Sequence, residues 1–244
     1  MFYLIVCASV LEVIGLTLFQ NRIYRFSVKQ LVVFVAVIVI IGGAGIYALA
    51  FLEEGIWGMS FFGSVFATSI AMVPTAKLLK IPLGDVMDVC GPICAGFLAL
   101  SKVNCWYHDC CLGITIGMAK DGDYIRFPSQ IVEGLNGLIL CGLLLVMQRN
   151  PQNKGRIAPI FLLYFGTTRF ALNSFREGLE TFWLFEGTGL FIPKGHFWSV
   201  VCIIWGLIWM YRIVSKNKGQ KASFKEVATA ILDMFRFRSR EEIS

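Results

Sequence analysis

Charge is scarce in this chain. Asp, Glu, Lys and Arg make up 16% of its 244 residues against 57% hydrophobic residues, and the mean hydropathy is +0.70. Soluble domains carry about 25% charged residues, so the scarcity excludes an ordinary soluble domain and places the chain in a membrane. Histidine is rarer still, with only two. The paired Cys-x2-Cys spacing of structural zinc sites is absent, and so are internal repeats and low-complexity tracts. Residues 2–19 lack the basic start and small-residue cleavage pattern of a secretion signal and carry Glu12 mid-run, so they read as a retained first span. The net charge of +6 sits in short turns and in the tail after Tyr211. That distribution points to anionic lipid headgroups and excludes nucleic acid as the partner.

What is present is a series of apolar runs. Residues 31–51 hold no charge and match the length needed to cross ~30 Å of hydrocarbon as a helix. Hydropathy outlines about seven spans: 2–19, 31–51, 60–75, 86–99, 131–147, 157–175 and 197–213. The expected fold is therefore an all-α polytopic membrane domain over 1–215, followed by a basic tail over 216–244. Arg22, Arg25 and Lys29, then Lys77 and Lys80, then Arg149, Lys154 and Arg156, then the tail lysines all follow odd-numbered spans. The alternate turns carry Glu53 and Glu54, then Asp109, Asp121 and Asp123, then Glu177, Glu180 and Glu186. The basic side is cytoplasmic, which places the N-terminus outside and the C-terminus in the cytoplasm. In the tail, Ser223 to Glu226 reads as a capping box, and Phe224, Val227, Ile231 and Phe235 follow at helical spacing among Lys225, Arg236 and Arg238. This describes a short helix lying on the inner membrane face; an unstructured basic tail is the alternative.

The polar exceptions gather in the stretch from Ser101 to Glu133, which holds Lys102, Asn104, Cys105, His108, Cys110, Cys111, Arg126, Gln130 and Glu133 between two apolar segments. Such groups are costly to bury, so the stretch reads as the mouth of a membrane-embedded site on the outer face. Glu12, Asp85, Asp88, Lys102, Glu133, Arg169 and Arg176 fall in or at the ends of spans, and each must face a partner or a wet cavity. Arg169, Asn173 and Arg176 share one helix face, which suits planar recognition of a phosphate; the alternative is that an arginine pairs with Glu133 to join helices while Arg176 snorkels outward. Pro128 suits the first turn of a helix that delivers Gln130 and Glu133 to the same side. For Cys105, Cys110 and Cys111, packing, a disulfide and a metal site are all open, although adjacent cysteines seldom share one zinc. Cys7, Cys90, Cys94, Cys141 and Cys202 read as core residues. Neither a cofactor nor a resident metal is expected.

Asp85 ahead of an apolar span, Ser-Lys-Val-Asn-Cys-Trp-Tyr-His-Asp-Cys-Cys-Leu-Gly ending at Gly113, Arg-Phe-Pro-Ser-Gln-Ile-Val-Glu ending at Glu133, and Tyr-Phe-Gly-Thr-Thr-Arg-Phe-Ala-Leu-Asn-Ser-Phe-Arg ending at Arg176 occur in order. Together they resemble the bacterial prolipoprotein diacylglyceryl transferase family. Its pattern is Gly-Arg-x-Gly-Cys-x-x-x-Gly-Cys-Cys-x-Gly, His-Pro-Ser-Gln-x-x-Glu and Tyr-Gly-x-x-Arg-Phe-x-x-Glu-x-x-Arg. The resemblance implies a multi-pass protein of the bacterial cytoplasmic membrane that transfers the diacylglyceryl group of phosphatidylglycerol to the lipobox cysteine of a preprolipoprotein. Its partners would be phosphatidylglycerol, the preprolipoprotein signal segment and membrane lipids. It further implies Arg169 as catalytic and Lys102, Gln130 and Glu133 as substrate-binding; Arg126, Asn173 and Arg176 complete the expected substrate site from the reading of the residues. Several positions depart from the pattern, four of them at polar groups of the family's site. Phe62 stands at the place of an essential histidine, Lys102 replaces an arginine, Phe127 replaces the histidine before the proline, and Asn173 replaces a glutamate. His108, or a thiolate acting without a protein base, is then the candidate for the missing catalytic role. Alternatives are a non-catalytic relative that binds anionic phospholipid or lipoprotein signal segments, and an anion transporter using Lys102 and Arg169.

Overall fold

A computed structural model describes residues 2–55, 58–118, 123–179, 181 and 191–235, with only the backbone described for Phe2, Tyr3 and Glu54. Asp121, Glu180, Glu186, Arg236 and Arg238, invoked above, lie outside the described residues. The chain is helical almost throughout: α1 Phe2–Tyr24, α2 Val28–Val37, a π-helical turn Ile38–Gly42, α3 Gly43–Glu54, α4 Phe61–Leu79, α5 Leu83–Tyr107, α6 Ser129–Met147, α7 Ile157–Asn173, α8 Lys194–Lys218 and α9 Phe224–Met234. α2, the π turn and α3 form one continuous rod. A small antiparallel hairpin, β1 Thr115–Met118 and β2 Tyr124–Arg126, interrupts the helices between α5 and α6.

The helix boundaries follow from local chemistry. Ser27 with Gln30, and Ser223 with Glu226, each form a complete capping box. Pro82, Pro128 and Pro193 stand at the N-caps of α5, α6 and α8, where a missing N–H costs nothing. Gly55 and Gly219, both at φ 70°, end α3 and α8 in the left-handed conformation that glycine adopts without strain.

Six helices among the described residues are long and apolar enough to cross a membrane: α1, the rod over 28–53, α4, α5, α6 and α8. α7 has 17 residues, or roughly 26 Å at 1.5 Å per residue, just short of a full crossing. Leu11, Val32, Ile40, Leu52, Ile70 and Ile139 are exposed on the outside of the bundle, a surface that only lipid covers favourably. The protein is thus an all-α, multi-pass membrane protein.

α5 is the central helix. It packs on α1, α4, α6 and α7, and 78% of its span is buried. It also runs farther than the expected 86–99, reaching Tyr107 and so carrying Lys102 and Asn104 within it. Hydropathy falls at Lys102, but the helix continues because a carboxylate from α6 meets that charge inside the protein. The rod and α4 cross in near backbone contact: a Cβ on Gly63 would lie 2.0 Å from the Gly45 carbonyl oxygen.

Charged groups at the other end of α5 fasten the bundle. The Asp88 carboxylate accepts from the backbone N–H of Gly155, from that of Ile157 at 2.9 Å and from that of Ala158 at 3.2 Å, capping α7 from a neighbouring helix. Asp85 pairs with Lys154 at 2.9 Å. Gln148 Nε2 donates to Gln20 Oε1 at 2.7 Å and to the Asp88 carbonyl at 2.8 Å. Glu12 is the exception to the expected network: its buried oxygens have no hydrogen-bond partner among the described residues. At the C-terminus α8 continues to Lys218, and Val227 and Met234 of α9 join the same buried cluster as Val214 of α8. Phe224 and Leu232 remain exposed on α9.

Candidate active site around Glu133

Three cations from two helices and a following turn converge on one carboxylate. Glu133, only 2% exposed, takes Lys102 Nζ of α5 at 2.6 Å, Arg169 of α7 in direct contact, and Arg176 Nε at 3.9 Å. Glycines let α5 and α6 approach closely enough for this. A Cβ on Gly137 would lie 2.9 Å from the Ala95 carbonyl oxygen, and one on Gly134 would lie 3.4 Å from Lys102 Cβ. With three cations against one carboxylate, the cluster keeps a net positive charge. Buried charge of one sign is stable only where an opposite charge can reach it. Glu133 Oε1, Arg176 Nε and Asn104 Oδ1 are buried and have no hydrogen-bond partner among the described residues.

A cavity of about 210 Å³ opens beside the cluster, lined by Arg169, Asn173, Arg176, Phe62, Glu53 and Trp198 among others. On the other side Lys102 and Gln130 head an almost wholly apolar groove of about 300 Å³ that continues along Val103, Trp106, Leu135 and Leu138. A polar cavity and an apolar groove meeting at a cationic centre suit an amphiphile with an anionic headgroup.

The loop after α5 is tied to the same centre. Ser129 Oγ donates to the Cys111 carbonyl at 2.6 Å and Gln130 Nε2 to the Cys110 carbonyl at 2.8 Å. Ile114 N–H donates to the Phe175 carbonyl and Glu177 N–H to that of Leu112, both at 3.0 Å. Gly113 fits there because it lacks a Cβ, which would lie 2.1 Å from the Phe127 carbonyl oxygen. The Cys111 and Cys105 sulfurs share a hydrogen bond at 3.6 Å; this bond, with the charges of Lys102 and Arg176, pulls the Cys111 thiol down to about 5.

Among the residues singled out from the sequence, Lys102, Glu133, Arg169 and Arg176 come together in one cluster, and Asn173 lines the cavity beside them. Gln130 borders the groove while its amide is spent on the Cys110 carbonyl. Arg126 lies at the rim, paired with Glu177 in an exposed contact. His108 is not brought in: it is exposed at the C-cap of α5, its ring edge-on to Tyr107 at 5.2 Å, because the helix ends there and turns its side chain outward.

The other histidine, His196, belongs to no motif in the sequence. His196 Nδ1 lies 2.9 Å from Asn173 Nδ2 and its Nε2 3.2 Å from Ser174 Oγ, with Phe170 edge-on at 4.6 Å. Gly195 makes this approach possible, since a Cβ there would lie 2.6 Å from Asn173 Oδ1. In sequence only its rarity and its place after Pro193-Lys194-Gly195 hinted at a role. Phe62, 6% exposed, sits in an aromatic column with Phe66 at 6.3 Å and Phe165 at 5.4 Å.

The family model for prolipoprotein diacylglyceryl transferase matches residues 2–212. Relatives named phosphatidylglycerol–prolipoprotein diacylglyceryl transferase include one from Teredinibacter turnerae, 29% identical over 228 residues, covering 83% of this chain and 77% of the relative. Another, from Pseudoalteromonas atlantica, is 27% identical over 236 residues, covering 88% and 84%. A third, from Mannheimia succiniciproducens, is 31% identical over 160 residues, covering 63% and 59%. With a match over most of its length, the chain belongs to the prolipoprotein diacylglyceryl transferase family.

Proposed function

We propose that this protein transfers the diacylglyceryl group of phosphatidylglycerol to the lipobox cysteine of a preprolipoprotein, in the bacterial cytoplasmic membrane with its N-terminus outside and the site opening outward. The observation that carries the reading is the cluster of Lys102, Arg169 and Arg176 around the single carboxylate of Glu133. Its surplus positive charge supports a phosphate, and the adjoining apolar groove supports the acyl chains.

In this reading the acceptor sulfur attacks the terminal glyceryl carbon, the carbon–oxygen bond to phosphate breaks, and glycerol phosphate leaves with the electron pair. Arg169 and Arg176 stabilise the charge that grows on the departing phosphate, and Lys102 assists while Glu133 holds all three in register. The thiol proton passes to an imidazole. His196 fits that part better than His108, because it contacts Asn173 of the cavity wall while His108 faces solvent.

A second reading, a relative that binds anionic phospholipid or a signal segment without turnover, is favoured by one observation: Phe62 fills its position with an aromatic contact rather than a polar one. The experiment that separates them combines purified protein, labelled phosphatidylglycerol and a lipobox peptide, with mass spectrometry for the diacylglyceryl thioether. Product that disappears in Arg169→Ala and falls in His196→Ala, but not in His108→Ala, supports transfer through this site. Bound phosphatidylglycerol without product supports the second reading.

A further inference from the structure

The sulfur atoms of Cys105, Cys110 and Cys111 lie within 4.8 Å of one another, and those of Cys105 and Cys111 are 3.6 Å apart. Metal–sulfur bonds of about 2.3 Å put the sulfurs of one tetrahedral or trigonal centre roughly 3.8 to 4.0 Å apart. The triangle fits a single ion. Neighbouring cysteines ordinarily point to different sides of the chain, which is the objection to such a site on sequence alone. The backbone removes it. Asp109 at φ 47° and Cys111 at φ 60° both take the left-handed conformation that residues with a Cβ seldom adopt. The resulting turn swings the adjacent thiols to one side.

That turn is held by groups outside it. Cys110 N–H donates to the Cys105 carbonyl at 3.0 Å, closing the loop on the end of α5. Gln130 Nε2 and Ser129 Oγ bond the carbonyls of Cys110 and Cys111 at 2.8 Å and 2.6 Å. The convergence of the sulfurs therefore depends on the α6 N-terminus as well as on the Cys111–Cys105 contact. Cys110 is exposed and gives an ion a way in.

We propose that Cys105, Cys110 and Cys111 form a three-thiolate site for one soft metal ion of the zinc, cadmium or copper(I) class, with the remaining coordination position open to solvent. Each thiol gives up its proton to solvent as its metal–sulfur bond forms, and no electron changes hands. Thiolate donors select these ions over calcium or magnesium. Because Gln130 and Ser129 hold the same turn, a bound ion braces the loop against the start of α6, three residues before Glu133. The site is independent of whether the protein transfers lipid.

The test uses the full chain in detergent, reduced and then freed of reductant, titrated with cadmium while the ultraviolet thiolate-to-cadmium charge-transfer band is followed. One cadmium per chain is expected. Cys110→Ser and Cys111→Ser should each weaken uptake by at least about tenfold, while Cys202→Ser, in the buried core, leaves it unchanged. Cys110 is exposed, so the melting temperature of its variant should match the parent and show that loss of binding is not loss of fold. A parent protein that gives no band overturns the proposal, as does a band that survives both Cys110→Ser and Cys111→Ser.

Discussion

Replacing Glu133 by glutamine keeps the shape of the side chain and removes only its charge. In the parent, a carboxylate 2% exposed faces Lys102 at 2.6 Å, Arg169 in contact and Arg176 at 3.9 Å. In the variant three cations meet across a neutral amide. Breaking a buried ion pair costs about 3–5 kcal/mol, mostly the penalty of the charge left behind. At roughly 2–4 °C per kcal/mol for a chain of this size, Glu133→Gln should melt about 6–20 °C below the parent, read by tryptophan fluorescence on heating in a neutral detergent. The same reasoning fixes a second outcome. A phosphodiester entering the cavity stands in for the lost carboxylate, so added phosphatidylglycerol should raise the melting temperature of the variant more than that of the parent, and phosphatidylcholine should raise neither preferentially. A fall of less than about 2 °C, under 1 kcal/mol on that scale, would refute the view that Glu133 organises the three cations. Equal rescue by both lipids would refute the phosphate site.

Arg169→Ala should lower phosphatidylglycerol binding at least tenfold and abolish thioether formation, whereas Arg126→Ala, whose ion pair is exposed, should cost ~0–1 kcal/mol in a thermal melt. Asp88→Ala strands the buried N–H groups of Ile157 and Ala158 as well as that of Gly155; at about 1–3 kcal/mol each, little folded protein should be recovered by gel filtration, and Asp88→Asn should recover part of it. Gly63→Ala forces a Cβ to within 2.0 Å of the Gly45 carbonyl oxygen, so the rod and α4 must separate, at about 1–3 kcal/mol in the same melt.

Hydropathy made the helices legible because lipid demands long apolar runs, and the observed rods begin and end near the expected ones. It failed at the C-terminal turns of α5. A hydropathy profile stops at Lys102, while the carboxylate that neutralises it lies on another helix. Helical spacing likewise put Arg169 and Asn173 on one face, since a period of 3.6 needs no knowledge of partners, but the helix ends at Asn173 and Arg176 reaches the cluster from the turn that follows. Spacing could not say that Asp88 would cap α7, because the donors belong to a turn and helix start on the far side of two connections. Nor could it say that Gln130 would be spent on a loop carbonyl. A side-chain amide looks the same in sequence whether it awaits a substrate or holds a cysteine turn.

The departures from the family pattern make physical sense as a set. Phenylalanine in place of a histidine gives up a polar side chain at the wall of the cavity, and Phe62 there meets Phe66 and Phe165 in ring contact. Asparagine in place of glutamate would remove the negative charge beside Arg169, yet Asn173 now bonds an imidazole that a glycine lets approach. Lysine in place of arginine loses a bidentate fork, yet one Nζ at 2.6 Å is enough to engage Glu133 while Arg169 takes the same oxygen. At Phe62, Lys102 and Asn173 the changed side chain meets a partner in place. On that argument the decisive substitution is His196→Gln: the amide preserves a hydrogen bond to Asn173 but cannot take up a proton. Transfer that falls at least tenfold with phosphatidylglycerol binding intact would identify His196 as the base, and transfer that survives would leave the imidazole a positioning role only.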